Sequence, residues 1–169
     1  MKILIIGHAR HGKDTVGDLF NEYAGFKAIS SSEILVKEFL FDVMNSKYGQ
    51  SYQTVEECFN DRFNWRKEWF DEITAYNTPD KTRTARLILK HADIYVGMRN
   101  SDEVRACIVE GLFDLVIWVD ASNRLPLESP ESFSIDKNVA DIIIDNNGTL
   151  IELKHKIYRL IKSYGLLIY

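Results

Sequence analysis

Lys13 is the residue with the clearest chemistry. It ends the stretch Gly7-His8-Ala9-Arg10-His11-Gly12-Lys13, and Asp14 and Thr15 follow it. Two glycines five apart with a lysine after the second let a backbone wrap closely around anionic oxygens. Successive N–H groups and a helix N-terminus then point at phosphate, and the lysine adds a full charge. A hydroxyl residue is usual directly after the lysine. Here Asp14 stands there and Thr15 comes second, so either Asp14, through water, or Thr15 is the candidate for holding a magnesium ion.

The arginines come next. Arg62 and Arg66 are four apart, on one face of an expected helix, among Phe59, Phe63, Trp65, Trp69 and Phe70. That pattern reads either as a stacking platform with phosphate-binding guanidiniums or as core aromatics beside solvated arginines. Arg99 follows an apolar run and Gly97, which puts it at the carboxyl end of an expected strand. Ligands bind there in parallel α/β sheets, and an arginine there can clamp a phosphate. A salt bridge to Glu103 is the plainer alternative. Arg124 is the single arginine of a stretch from Asn123 to Lys137, about 15 residues with little periodicity, a length at which a loop is commonly a lid. Ser32 sits after a short strand. The serines there either cap a helix, with Ser30 and Glu33 at capping-box spacing, or face the substrate.

These residues need a scaffold. Ile3–Ile6 is a continuous, mostly β-branched run, as expected of a strand buried on both faces. Val16, Leu19, Phe20 and Tyr23 then keep helical spacing up to Gly25. Further strands are expected at Phe26–Ile29, Asp93–Val96, Asp114–Val119 and Ala140–Asp145. Helices are expected between them: from Ser30, over one or two segments of Thr54–Tyr76, from Thr78-Pro79-Asp80, from a Ser101 cap to Gly111, and from Thr149 to Gly165. Strands alternating with helices predict an α/β fold, a parallel sheet covered on both faces.

Composition narrows the class. At 169 residues, with 46% hydrophobic and 27% charged, one globular domain spanning 1–169 is expected. No apolar run approaches the roughly 20 residues of a membrane span. The first strand begins at once, with no leader to read, and Cys58 and Cys107 match no metal spacing, so a reduced cytoplasmic setting is expected. The net charge of −4 argues against a protein wrapped on nucleic acid.

Taken in order, GKDT after the first strand, YVGMR at the third, VIWVDAS before the lid and ADIIIDNNGTLIEL near the end resemble the P-loop nucleoside monophosphate kinase superfamily. The resemblance covers essentially the whole chain and is nearest to the phage-type deoxynucleoside monophosphate kinases. It implies a five-stranded sheet of order 2-3-1-4-5, a helical acceptor-binding insert over 30–90 and a lid over 121–138. It implies ATP and Mg2+ as cofactors, a small-molecule nucleotide as partner, and phosphorylation of a deoxynucleoside monophosphate. By matching position, Gly7, Gly12, Lys13, Asp14 and Thr15 bind the donor and its metal, and Arg10 is a further donor-side cation. Ser32, Arg62, Arg66 and Arg99 meet the acceptor, with Lys13, Arg99 and Arg124 the catalytic set. Asn146 and Gly148 either approach the adenine or simply form a tight turn.

One departure stands out. Lids of this superfamily often carry several arginines, whereas this one has only Arg124, with Lys137 near its end. Arg10 or the insert arginines are then expected to supply charge around the moving phosphoryl group. Two alternatives follow: a phage-type kinase acting on 5-hydroxymethyluracil in DNA, and a nucleotide-binding module without catalysis. The apolar tail Leu166–Tyr169 is a candidate homodimer contact.

Overall fold

A computed structural model describes residues 1–168. Tyr169, the last residue of the tail, lies outside the described residues. Five strands, β1 (Ile3–Ile6), β2 (Ala28–Ser30), β3 (Ile94–Val96), β4 (Leu115–Asp120) and β5 (Ile142–Asp145), form one sheet of order β2-β3-β1-β4-β5. All neighbours are parallel, with Ile5 opposite both Val96 and Ile117.

Side-chain alternation explains the three layers. Ile3 and Ile5 join Ile94, Val96, Ile117 and Val119 on one face. There they meet Val16, Leu19 and Phe20 of α1 (Lys13–Ala24) and Leu153, Ile157 and Ile161 of α8 (Leu150–Ser163). Leu4, Ile6, Tyr95, Val116 and Trp118 point the other way. They pack on Ala85 and Ile88 of α6 (Arg83–Leu89) and Val104 and Cys107 of α7 (Ser101–Val109). Strands buried on both faces read as unbroken apolar runs for this reason.

The segment between β2 and β3 has its own small core of Leu35, Val36, Leu40, Met44, Cys58 and Trp69. It comprises α2 (Ser31–Leu35), a wide i→i+5 turn over Val36–Leu40, α3 (Phe41–Ser46), α4 (Val55–Asp61) and α5 (Arg66–Tyr76). The capping box expected at Ser30 is present: Ser30 Oγ accepts from Glu33 N at 3.1 Å, and Ser30 N donates to Glu33 Oε2 at 2.9 Å. A second box joins Thr149 and Glu152.

Three local expectations are corrected. Arg62 and Arg66 do not share one helix face: of the one or two helices expected over Thr54–Tyr76 two form, the chain breaks between them at Trp65 (φ −124°, ψ 31°), and the two arginines lie on different elements. Asp61 makes the break, accepting from Trp65 Nε1 at 3.0 Å, Tyr52 Oη at 2.5 Å and Asn64 Nδ2 at 2.6 Å. Pro79 does not open a helix. Asp80 Oδ1 instead accepts from Thr82 N and Oγ1 in a turn, and α6 starts only at Arg83. Asn100, one residue before Ser101, caps α7 by accepting from Asp102 and Glu103 N–H.

The tail is partly accounted for within the chain. Leu166 and Leu167 pack against the α1/α8 core, and Ile168 N donates to Tyr23 O at 3.0 Å. Among the described residues no helix is long and apolar enough to cross a membrane.

Candidate active site

The loop from Gly7 to Gly12 turns between the carboxyl end of β1 and α1. Gly7 has φ +144°, and a Cβ there would lie 2.4 Å from Val119 O. Arg10 is in the left-handed region (φ 65°), as is Gly12 (φ 98°), which starts α1 without a side-chain cap. The loop is therefore held against β4 while the N-terminal N–H groups of α1 stay open to an anion. A Cβ on Gly12 would sit 2.4 Å from Asn146 Nδ2. Gly12→Ala is expected to destabilise the fold by at least about 2 kcal/mol and to weaken ATP binding. Urea denaturation and an ATP titration check both.

Lys13 is 8% exposed and folds back, its Nζ donating to His8 O at 2.8 Å. Burial, and secondarily Arg99, push its pKa down to about 8. Asp14 is exposed on the cleft wall, with Asp18 one turn further along α1. Thr15 is half-buried and does not line the cleft. No group of three or more acidic, histidine or cysteine side chains that could hold a metal occurs among the described residues. Mg2+ keeps several waters and is commonly held by one carboxylate plus substrate phosphates, and the exposed Asp14 carboxylate on the cleft wall fits that mode of binding.

Two loop histidines, unassigned from the sequence, act as braces. His11 is fully buried; its Nδ1 accepts from Ala121 N at 3.0 Å. Its proton is therefore assigned to Nε2, which donates to Pro126 O at 3.3 Å. His8 Nδ1 accepts from Glu128 N at 3.1 Å, and its ring packs on Phe133 and Trp118. The start of the lid is thus fastened to the loop. Asn146 adds a third brace, its Nδ2 donating to His11 O at 2.9 Å. The Asn146 amide therefore faces the loop backbone. Gly148 is exposed in the turn before α8.

A cleft of about 350 Å³ opens from Lys13 and Asp14 across Ser31 and Ser32 to Arg62 and Arg99. That is within the range of small-molecule sites. Arg10 lines it, with its guanidinium 5.5 Å from the Phe63 ring centre. The Arg62 guanidinium lies 3.8 Å from the Phe59 ring centre and 4.3 Å from that of Phe63, in cation–π range. A narrower recess beside it brings Arg62, Arg66 and Arg99 together with Trp69 and Phe70.

Arg99 does not pair with Glu103. Its Nη1 donates to Glu128, and Arg66 Nη1 donates to the same oxygen, Oε1, at 2.8 Å. Glu128 Oε2 accepts from Ala9 N at 2.7 Å. Burial alone would raise the Glu128 pKa, but Arg99, the Ala9 N–H and Arg66 outweigh it and hold the carboxyl below its usual range. Arg124, the lid arginine expected at the moving phosphoryl group, is not on the cleft. It is exposed, and its Nε donates to Asn146 O at 2.9 Å. Its aim is set by the turn after β5. Glu128 carries no signal in the sequence, because the lid has no periodicity and its partners are 29 to 119 positions away.

No family model and no curated protein matches the chain. Solved structures do. A shikimate kinase from Aquifex aeolicus vf5 aligns over 98% of this chain and 99% of its own, with a TM-score of 0.53 and 14% identity. The chain has a P-loop kinase fold. An unliganded sugar kinase from Janibacter sp. HTCC2649 aligns over 98% and 94%, with a TM-score of 0.47 and 13% identity. At these identities the likeness extends to the fold alone.

Proposed function

We propose that this protein transfers the γ-phosphoryl group of ATP to the phosphate of a deoxynucleoside monophosphate. The observation that carries this reading is the meeting of Arg66 and Arg99. Two guanidiniums from separate elements converge beside the loop that holds Lys13, at the mouth of an aromatic-walled recess. Nearby Arg62 adds a third cation on a stacked aromatic support. A dianionic phosphate on a flat base fits such a set: charge at one end, ring faces at the other.

The residues then divide the work. Lys13 and the N–H groups of α1 cradle the donor phosphates. Asp14 would hold a magnesium ion, which would supply neutralisation of the donor charge when bound. Arg99 and Arg66 orient the acceptor phosphate in line with the donor. Ser31 and Ser32 line the same cleft beneath them. An acceptor phosphate is already ionised at neutral pH, so no general base is required. Arg124 lies on the Asn146 turn, a position suited to the adenine side of the donor. The arginine clamp comes from α5 and from the segment after β3, and not from the lid.

The second reading is a hydroxyl acceptor, including the hydroxymethyl group of a modified uracil in DNA. The exposed Asp14 carboxylate on the cleft wall favours it, as a candidate base. Glu33 lines the same cleft, whereas Asp120 lines a separate crevice with His8 and Lys137. A third reading is a non-catalytic ATP-binding module. ADP release from ATP and Mg2+ with each dNMP, each NMP and hydroxymethyluracil DNA separates the three. Saturable turnover with one or more dNMPs is expected. Turnover with DNA alone supports the second reading, and ATP binding without any turnover supports the third.

A further inference from the structure

Glu128 belongs to the lid, yet its side chain is only 8% exposed. Both carboxylate oxygens are engaged. Oε2 takes the Ala9 N–H of the phosphate loop at 2.7 Å, and Oε1 is shared by Arg66 and Arg99. Its backbone N–H goes to His8 at 3.1 Å. One lid residue thus touches the phosphate loop, α5 and the end of β3.

Its position relative to the cleft matters. Arg99 lines the main cleft, and Glu128 does not. Glu128 instead lines a crevice behind, together with Ala9, Arg66 and Pro126. Each guanidinium has five N–H donors in a planar fork and gives Glu128 only one. Arg99 Nη1 also donates to Ser132 O at 3.4 Å, and the Nε and Nη2 donors of both arginines are left for a second anion. Lys13, Arg66 and Arg99 would repel one another when brought together, and a buried carboxylate beside them offsets that repulsion while leaving the site positive.

We propose that Glu128 is a positioning residue: the lid delivers a carboxylate that gathers Arg66 and Arg99 onto the phosphate loop. In this account the lid does not carry arginines to the transferring phosphoryl group. The arginines come from the body of the protein, and the lid aligns them. His11 holds Ala121 and Pro126 at the base of the lid, and Ser134 N donates to Arg99 O at 2.9 Å at its far end. The lid segment is fastened on both sides of Glu128, so its carboxylate arrives at a defined place. The proposal rests on the reading that this cleft performs phosphoryl transfer.

The test is kinetic and uses the full chain. Glu128→Gln keeps the size of the side chain and removes its charge. We expect kcat with the active monophosphate to fall roughly 10- to 100-fold while the KM for ATP stays within about 3-fold. In an Arg99→Ala background the same change should cost clearly less than in the wild type, because one of the two arginines it positions is gone. A residue with only a structural role would lower stability and would act additively with Arg99→Ala. An unchanged kcat or full additivity overturns the proposal. A second arm is independent of the acceptor: binding of ADP, Mg2+ and aluminium fluoride, measured by calorimetry. Glu128→Gln should weaken the aluminium fluoride complex at least 10-fold more than it weakens ADP and Mg2+ alone. Equal weakening overturns the positioning role. If wild type accepts no monophosphate but shows this selective effect, the acceptor assignment fails and the positioning role stands.

Discussion

Replacing Lys13 with methionine is expected to abolish phosphoryl transfer and at the same time to stabilise the fold. The loss should exceed roughly 1,000-fold, because transfer depends on positive charge around the phosphoryl oxygens. The gain in stability comes from burial. Lys13 is 8% exposed, and its pKa is lowered from 10.5 to about 8. A lysine whose folded pKa lies below its unfolded value costs stability wherever it is charged in both states. At pH 7 that cost is on the order of 3 kcal/mol. Between about pH 8 and 10.5 the unfolded chain binds more protons than the folded one, so wild-type stability contributed by this group rises with pH. Methionine keeps the apolar stem and removes the charge, at the loss of one hydrogen bond to His8 O. The variant should be more stable than wild type by roughly 1–3 kcal/mol at pH 7. The difference should narrow towards pH 10. Urea denaturation of both proteins at pH 7 and pH 9.5 measures it. Retained activity contradicts the assignment of Lys13 to the donor site, and a destabilised variant contradicts the cost assigned to its buried charge.

Arg99→Ala carries the second large effect. The side chain stands at the carboxyl end of β3, lines the cleft and shares Glu128 with Arg66. Its removal takes away one arm of the acceptor clamp and leaves Arg66 and Glu128 as a simple pair. We expect kcat/KM for the acceptor to fall by about 100- to 10,000-fold, a loss of roughly 3–5 kcal/mol of transition-state stabilisation. ATP affinity should change by less than about 3-fold, since Arg99 is placed on the acceptor side. Steady-state kinetics with the acceptor varied, together with an ATP titration, separate these quantities. Equal weakening of ATP would move Arg99 to the donor side of the reaction.

The parts that could be read from sequence are those set by local pattern. Ile3–Ile6 and Leu115–Val119 are buried on both faces, so their runs announce strands. The glycines of the phosphate loop announce themselves because no other residue tolerates the backbone at Gly7 and Gly12 without strain. Sheet order followed from the resemblance of the whole series of motifs to a known superfamily. Contacts set by closure of distant segments had no such signal. Asp61 breaks the insert helix at Trp65 through three hydrogen bonds that no spacing rule reveals. Arg124 stands out in the sequence as the single arginine of the lid, with no local signal for where its side chain is aimed. The turn after β5 engages it, and an acidic residue four positions later reaches the site. His8 and His11 occupy loop positions where the motif sets no residue type, and their roles emerge only once β4 and the lid are folded beside them.

The most direct test of phosphoryl transfer to a nucleotide follows the γ-phosphate itself. ATP labelled at the γ-phosphorus is incubated with Mg2+, the protein and each deoxynucleoside monophosphate, and the products are separated. The account predicts label in a deoxynucleoside diphosphate, lost in Lys13→Met and strongly reduced in Arg99→Ala. Label found only in inorganic phosphate, or left entirely in ATP with every monophosphate, would contradict it.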